Sequence, residues 1–371
     1  MKTNVTINLL FVFFILFTAC NKKDSSAKVA INTQETTYIL DGIKINSPKS
    51  IENLSIFMLS GKEQIVGDRY NILSESMKNK EVTVFETGNV NQLSVNNNSN
   101  EYVFIHSGDI VKGGKQDRTI SFDVIVAPMT NNVSLESFCV EQGRWEQRAE
   151  EEVIAFSSNT KMISSKDLKL AAKHERNQSK VWDKVSEQKE NLNEKLSLKK
   201  GYAVDVSDNE SKSSLQLALE SDELIKVRDD YFEKLKDLIK QKDVIGYAYT
   251  INGEIFGVEV YNNKQLFQDL WDKILESVII EAVTNEGEKL ASKKGQKDIL
   301  AFMNVVKAQG KKEVKNINEV TNFETIENET GNVVFTTIDL HQKNWVHKSF
   351  MKIDSTDLNK RRSANEIIIQ E

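Results

Sequence analysis

Proline is nearly missing from this chain, with two in 371 residues. That excludes proline-rich recognition tracts and stiff extended spacers. Cysteine is as scarce: Cys20 closes an apolar N-terminal run, and Cys139 is the other one. A disulfide-stapled scaffold is therefore excluded, and the fold has to rest on its hydrophobic core. The four histidines (His106, His174, His341, His347) are scattered, none at a spacing such as HxxxH. No metal site and no cofactor are read from that pattern. Basic charge is not in excess, the net charge being -6, which argues against a nucleic-acid partner. The N-terminal apolar run, Leu9 to Phe17, would rise only about 14 Å as a helix, against a hydrocarbon core of roughly 30 Å.

What is present suits a globular protein. Hydrophobic residues make up 39% and charged residues 28%, enough for a sizeable core in one large domain or two modest ones. Residues 1–19 read as a signal peptide, with one lysine, an apolar stretch and small residues before Cys20. The Phe17-Thr18-Ala19-Cys20 ending resembles the bacterial lipoprotein cleavage box, with Phe17 in place of the commoner leucine. That resemblance implies lipidation of Cys20 and several acyl chains, which anchor stably where one alone does not. Residues 20–37 are polar and aperiodic, as in a flexible tether. Asn21 is not the aspartate of an inner-membrane retention signal, so the expectation is the cell envelope, outer membrane before inner. The folded region is expected over 38–355, with 356–371 as a tail.

Within that region the first half carries strand patterns and the second half helical ones. Strands are expected over Ile51–Leu59, Val82–Phe85, Tyr102–Ile105 and Val133–Glu141, with a helix over Arg69–Lys78. Arg118–Ala127 alternates, with Ile120, Phe122, Val124 and Val126 on one face and Thr119, Ser121 and Asp123 on the other, until Pro128 ends it. One long helix is expected from Ser165 to about Leu196, and another capped by Ser221. Val244–Ile251, Asn252-Gly253 and Glu254–Tyr261 give a strong hairpin signal, because Asn-Gly supplies the positive φ values of a type I′ turn. Gln265–Val283 is the cleanest amphipathic helix. The lysine-rich Lys293–Lys315 reads as a solvated face or loop edge, and Val333–Leu340 and Trp345–Ile353 as closing strands. The class is α+β: mostly antiparallel strands in the first half, packed with amphipathic helices from the second, in one large domain.

The densest chemistry lies between Gly108 and Trp145. Gly113 and Gly114 permit a tight turn whose bare amides suit an anion. Lys115 and Arg118 can neutralise a phosphate or carboxylate, Arg118 through its planar fork. Gln116 can position water, and Asp117 is the candidate general base or metal ligand. Downstream, Glu141 and Arg144 are candidate ligand contacts, and Trp145 can stack on a planar group. The competing reading is structural: Asp117 pairs with Arg118 or Arg144 and bridges the two clusters. Cys139 reads as a core cysteine rather than a nucleophile, since it lies in a strand pattern without a histidine partner. His106 with Asp109 is a weaker pair.

These motifs, Gly-Asp before Gly-Gly-Lys-Gln-Asp-Arg and a later Cys-Val-Glu-Gln-Gly-Arg-Trp, resemble a family of bacterial and archaeal proteins. That family is named for its association with ADP-ribosylglycohydrolase and rhodanese-phosphatase genes. The likeness extends from Pro48–Leu59 through Ile251-Asn252-Gly253 and the following helix, about residues 46–290. The family is of unknown function, so the resemblance implies no activity. Three readings follow. The first is a membrane-anchored ligand-binding or structural envelope protein. The second is a hydrolase of an anionic substrate of phosphate or ADP-ribose type, which needs Asp117, Arg118 and Arg144 within reach of one another. The third is a subunit of an envelope complex, suggested by Lys293–Lys315. Expected partners are the membrane, through lipid on Cys20, and a small anionic ligand.

Overall fold

The computed structural model describes residues 37–66, 70–144, 154–209, 211–287, 293–308 and 310–353. The signal peptide, Cys20, the tether, the tail and Trp145 lie outside the described residues. The chain opens with β1 (Tyr38–Leu40), β2 (Ile43–Ile45), β3 (Lys49–Ile51), β4 (Leu54–Ser60), β5 (Tyr70–Ile72) and α1 (Leu73–Lys78). It continues with β6 (Val82–Glu86), β7 (Gln92–Asn97), β8 (Tyr102–Ile105), β9 (Asp109–Gly113), β10 (Arg118–Ile120), β11 (Val124–Val126), β12 (Thr130–Cys139) and β13 (Phe156–Ile163). Then come α2 (Lys166–Lys173), α3 (Gln178–Lys200), α4 (Leu215–Leu219), α5 (Asp222–Leu235), β14 (Val244–Ile251), β15 (Glu254–Tyr261), α6 (Lys264–Thr284) and α7 (Gln296–Ala308). Four strands close it: β16 (Lys311–Asn316), β17 (Thr321–Glu327), β18 (Asn332–Asp339) and β19 (Asn344–Lys352).

The class is α+β, as the patterning predicts: thirteen of the nineteen described strands precede α2, and six of the seven described α-helices, α2 included, come after those thirteen. A ten-stranded antiparallel sheet runs β1-β2-β4-β14-β15-β19-β18-β17-β16, with β3 also on β4. A second sheet has the order β13-β9-β10-β12-β7-β6, and a third β11-β8-β5, where β5 lies parallel to β8. The centre of the large sheet is the predicted hairpin. Asn252 and Gly253 take φ of 53° and 90°, which matches the twist of β14 and β15. Helix α6 follows, capped by the Asn263 side chain accepting from the Leu266 N–H at 2.8 Å. It buries Leu266, Phe267, Leu270, Trp271, Ile274, Leu275, Val278 and Ile279. Each such side chain removed from water stabilises the fold by about 2 kcal/mol. No described helix is long and apolar enough to cross a membrane.

Three expectations change in ways that matter for the site. The alternating run Arg118–Ala127 is not one strand. It divides into β10 and β11, which belong to different sheets, and both of its faces are buried. At the break Ser121, Phe122 and Asp123 turn inward, because Ser107 and Thr337 supply the hydrogen bonds Asp123 needs. The helix from Ser165 is two helices. Arg176 adopts φ 52° between them, and the Asn177 side chain caps α3 by accepting from the Lys180 N–H at 3.1 Å. The lysine-rich Lys293–Lys315 contains α7 and the edge strand β16; Ile299 and Met303 of α7 are buried in the core. Of the helix expected over Arg69–Lys78, Tyr70–Ile72 is strand β5 ahead of α1, and Arg69 lies outside the described residues.

Candidate functional site

The glycine motif is a turn between β9 and β10. Gly113 and Gly114 have φ of 118° and 59°, conformations that L side chains resist. A Cβ on Gly114 would also lie 2.8 Å from Glu86 Oε1 and 2.9 Å from the Phe156 ring. The close approach has a purpose. The Gly113 N–H donates to Asp117 Oδ1 at 3.1 Å and the Lys115 N–H to Glu86 Oε1 at 3.2 Å. The amides that suit an anion therefore hold two of the chain's own carboxylates.

Asp117, Arg118 and Arg144 come together, as the hydrolase reading requires. Arg144 Nη2 lies 3.6 Å from Asp117 Oδ1, and its Nε lies 2.7 Å from Glu141 Oε2. Its other donors reach the carbonyls of Gly114 at 3.2 Å and Gly113 at 3.5 Å. Glu141 Oε2 accepts the Asp117 N–H at 3.2 Å, and Asp117 Oδ2 accepts the Ser214 hydroxyl at 3.2 Å. Arg118 faces Glu86 at 3.4 Å and donates to both oxygens of Gln116. Gln116, Asp117, Arg118 and Glu141 are at most 1% exposed, whereas Lys115 is exposed. Cys139 is also in the core, its backbone held at both ends by Gln178. Burial pushes its thiol up to about 11, so it is not a thiolate at neutral pH. The motif residues brace one another, with Gln116 Nε2 and Arg118 Nε buried and without a hydrogen-bond partner among the described residues.

A second polar cluster gathers residues that sequence spacing keeps apart. His347 of β19 sits between two carboxylates, its Nδ1 2.7 Å from Asp123 Oδ2 and its Nε2 2.7 Å from Glu259 Oε2 of β15. Asp123 also accepts from the Ser107 N–H at 2.7 Å and the Thr337 hydroxyl at 2.5 Å. Lys169 of α2 reaches Glu259 Oε1 at 3.3 Å. Gly108 lets it pass, since a Cβ there would meet Lys169 Cγ at 2.9 Å. Tyr261 stacks on His347 with centroids 4.4 Å apart, and its hydroxyl lies 2.9 Å from His106 Nε2. The other His106 nitrogen is 2.7 Å from the Ser107 carbonyl. Asp109, paired with Lys273, accepts the His106 N–H at 3.0 Å.

The protonation states follow from these contacts. Burial alone would depress His347, but Asp123 and then Glu259 outweigh it and raise its pKa to about 9. His347 is therefore an imidazolium that donates at both nitrogens. His106 is pushed down to about 4, mainly by burial, so Nδ1–H donates to Ser107 and Nε2 accepts from Tyr261. Burial would raise Asp123 and Glu259. The charges of His347 and of Lys169 with His347, respectively, overcome it and hold both well below the usual carboxylate range. Ligand atoms of His106, Asp123 and His347 lie within 4.8 Å of one another. A cation there would have to displace the bonds just named, and a ring flanked by two carboxylates holds a proton instead.

This cluster backs onto a cleft of about 960 Å³ between the end of α2 and strands β16 and β17. Four cationic side chains line it, Lys173, Arg176, Lys311 and Lys315, together with His174, Glu313, Glu327 and Glu329. Arg176 and Lys315 pair with Glu136 and Lys311 with Glu313, and His174 Nε2 lies 2.8 Å from Glu327. Lys173 is different. Its Nζ lies over the Phe335 ring at 4.2 Å, with no described carboxylate at ion-pair distance. It is 5% exposed, and burial, with Lys169 adding to it, pushes its pKa down to about 8. The cluster had one faint signal in sequence: Glu259 is a charge within an apolar strand pattern, where a charge needs a buried partner.

A family model described as ARG and Rhodanese-Phosphatase-superfamily-associated Protein domain matches residues 42–351. The match extends past the expected 46–290 to include β16–β19, and with them Thr337 and His347. No curated protein and no solved structure matches the chain.

Proposed function

This chain belongs to the family of ARG and rhodanese-phosphatase-superfamily-associated proteins, and from that premise we propose that it is a lipid-anchored envelope protein that binds a small anionic ligand in the Lys173 cleft. One observation carries the ligand reading. Among the cations of the cleft, Lys173 has no carboxylate partner within ion-pair distance among the described residues, while both arginines of the glycine motif face carboxylates. A desolvated ammonium without a counter-ion favours an anion that supplies one. Support for Asp117 as a catalytic base is weaker, because both its oxygens are engaged and it is sealed from solvent. The anchor reading rests on Leu9–Phe17 and Cys20.

Thermal unfolding of the full chain in detergent, with and without inorganic pyrophosphate, tests the ligand reading. Saturating anion raises stability by a few kcal/mol. The shift is lost in Lys173→Met and kept in Arg118→Ala. A shift lost in Arg118→Ala and kept in Lys173→Met returns the site to the glycine motif, and no shift in any form ends the anion reading. Incorporation of labelled palmitate, abolished by Cys20→Ser, tests the anchor.

A further inference from the structure

We infer that Lys173 is a reactive amine that condenses with the carbonyl group of a small aldehyde or ketone bearing an anionic group. The inference rests on the cleft being the binding site and names the class of molecule it takes.

The geometry comes from α2. Lys169 and Lys173 are four residues apart and project on one helix face. Glu259 offers its free oxygen to Lys169 at 3.3 Å, and its other oxygen is held by His347. Asp123 is filled by His347, Ser107 and Thr337. Each nearby carboxylate is thus engaged before Lys173 is reached. Its Nζ is left against Phe335, in an apolar collar with Phe122 and Phe323 that opens on the cleft. An ammonium that is desolvated and stands next to a second cation loses its proton more readily than one in water, and that is how lysine becomes a nucleophile. The groups around it agree. Lys169 and burial favour the neutral amine, Glu259 and Asp123 oppose them less strongly, and His174 turns to Glu327. The protonated fraction of Lys173 draws the anionic group of the same molecule into the cleft, and the neutral fraction attacks its carbonyl.

The reaction balances without a redox partner. The Nζ lone pair attacks the carbonyl carbon, and a C–N bond forms as the C=O π pair moves to oxygen. A proton passes from nitrogen to that oxygen through solvent. The carbinolamine loses water, and a C=N bond remains; hydrolysis reverses each step.

Pyridoxal 5′-phosphate, an aldehyde with a phosphate, is the probe. The full chain in detergent is incubated with it across pH 6.5 to 10, reduced with borohydride, digested and mapped by mass. The expected adduct is at Lys173 ahead of all other lysines. Its half-maximal labelling falls near pH 8, while ordinary exposed lysines label toward pH of about 10. Inorganic pyrophosphate suppresses it, and Lys173→Arg removes it. Labelling of Lys173 no stronger than that of Lys115 and Lys311 overturns the inference in the wild-type chain, whatever the variant's stability. Phosphate-competed binding of the probe without an adduct at Lys173 overturns the reactive amine and leaves the cleft as an anion site. Absence of both binding and adduct removes the cleft reading as well.

Discussion

The glycine-motif brace and the histidine cluster are both built from buried charge, yet they differ in how that charge is closed. In the brace, most partners are near in sequence: Asp117 meets Gly113 four residues away and Glu141 at 24, with Ser214 at 97 the exception. Its arginines face carboxylates at 2.7, 3.4 and 3.6 Å. In the cluster, partners come from across the chain, His347 and Asp123 being 224 residues apart and Lys169 and Glu259 90 apart. It is also left open at one end, where Lys173 faces a cleft without a counter-ion. The denser motif is the one whose arginines are paired. A conspicuous run of polar residues can mark where a fold is tied together, while reactivity collects where one charge is left over.

Substitutions separate the two. The largest effect is expected from Glu259→Ala, which strips a partner from both His347 and Lys169 inside the core. Leaving buried charge uncompensated costs about 3–5 kcal/mol, read as a fall in the urea midpoint at unchanged slope.

The second effect is a dependence on pH. His347 has a folded pKa near 9 against the ordinary 6.5 of a histidine, so the folded state holds its proton more tightly. Its contribution, about 3 kcal/mol from a shift of that size, is complete below pH 6.5 and is lost as pH rises through 9. Lys173 runs the opposite way. Its folded pKa of about 8 is below 10.5, so stability rises from pH 8 to 10.5 as the penalty on its charged form disappears. Acid works through other groups. The unfolded chain protonates His106 from pH 6.5 downward while the folded chain resists to about 4, and the depressed Asp123 and Glu259 add to the loss below pH 4. Urea titrations at pH 6, 8 and 9.5 on wild type and His347→Gln check the alkaline limb; a wild-type fall that persists in His347→Gln would reject the assignment.

In the brace, Arg144→Ala is expected to cost less, about 2 kcal/mol for hydrogen bonds to charged groups, because its side chain is 10% exposed and water can reach the carboxylates it leaves. A loss equal to that of Glu259→Ala would erase the distinction drawn between the two regions. The smallest effect has the opposite sign. Lys173→Met removes a buried cation without a counter-ion and is expected to stabilise the chain by about 1 kcal/mol at pH 7, the relief of desolvation being partly offset by the lost contact with Phe335. Differential denaturation reads it. A destabilised Lys173→Met would mean that the amine holds the fold rather than awaiting a ligand.

Much of the architecture was legible locally. The hairpin across Asn252-Gly253 and helix α6 lie where turn chemistry and apolar period place them, because both signals act within a few residues. The contact of Arg144 with Asp117 was left open in the sequence, where Arg118 and Arg144 stood as alternative partners. The division of Arg118–Ala127 into two sheets was not legible. Alternation is read the same way whether the polar face meets water or a buried partner, and the partners of Asp123 stand at Ser107, Thr337 and His347. The break between α2 and α3 was missed for a related reason: one residue at positive φ and an asparagine cap interrupt a helical period that continues on both sides.

By itself the sequence determined the α+β class, the hairpin, the helix behind it and the glycine turn, since these depend on backbone preferences and short-range periodicity. Only the tertiary structure decided which charges close on one another. It set Glu86 and Asp117 in the amides that suit an anion, and it enclosed His347 between carboxylates from separate segments. It also left Lys173 over an aromatic ring at the edge of a cleft. Electrostatic partners are fixed by distance and desolvation, and neither is defined until distant strands have been brought into register.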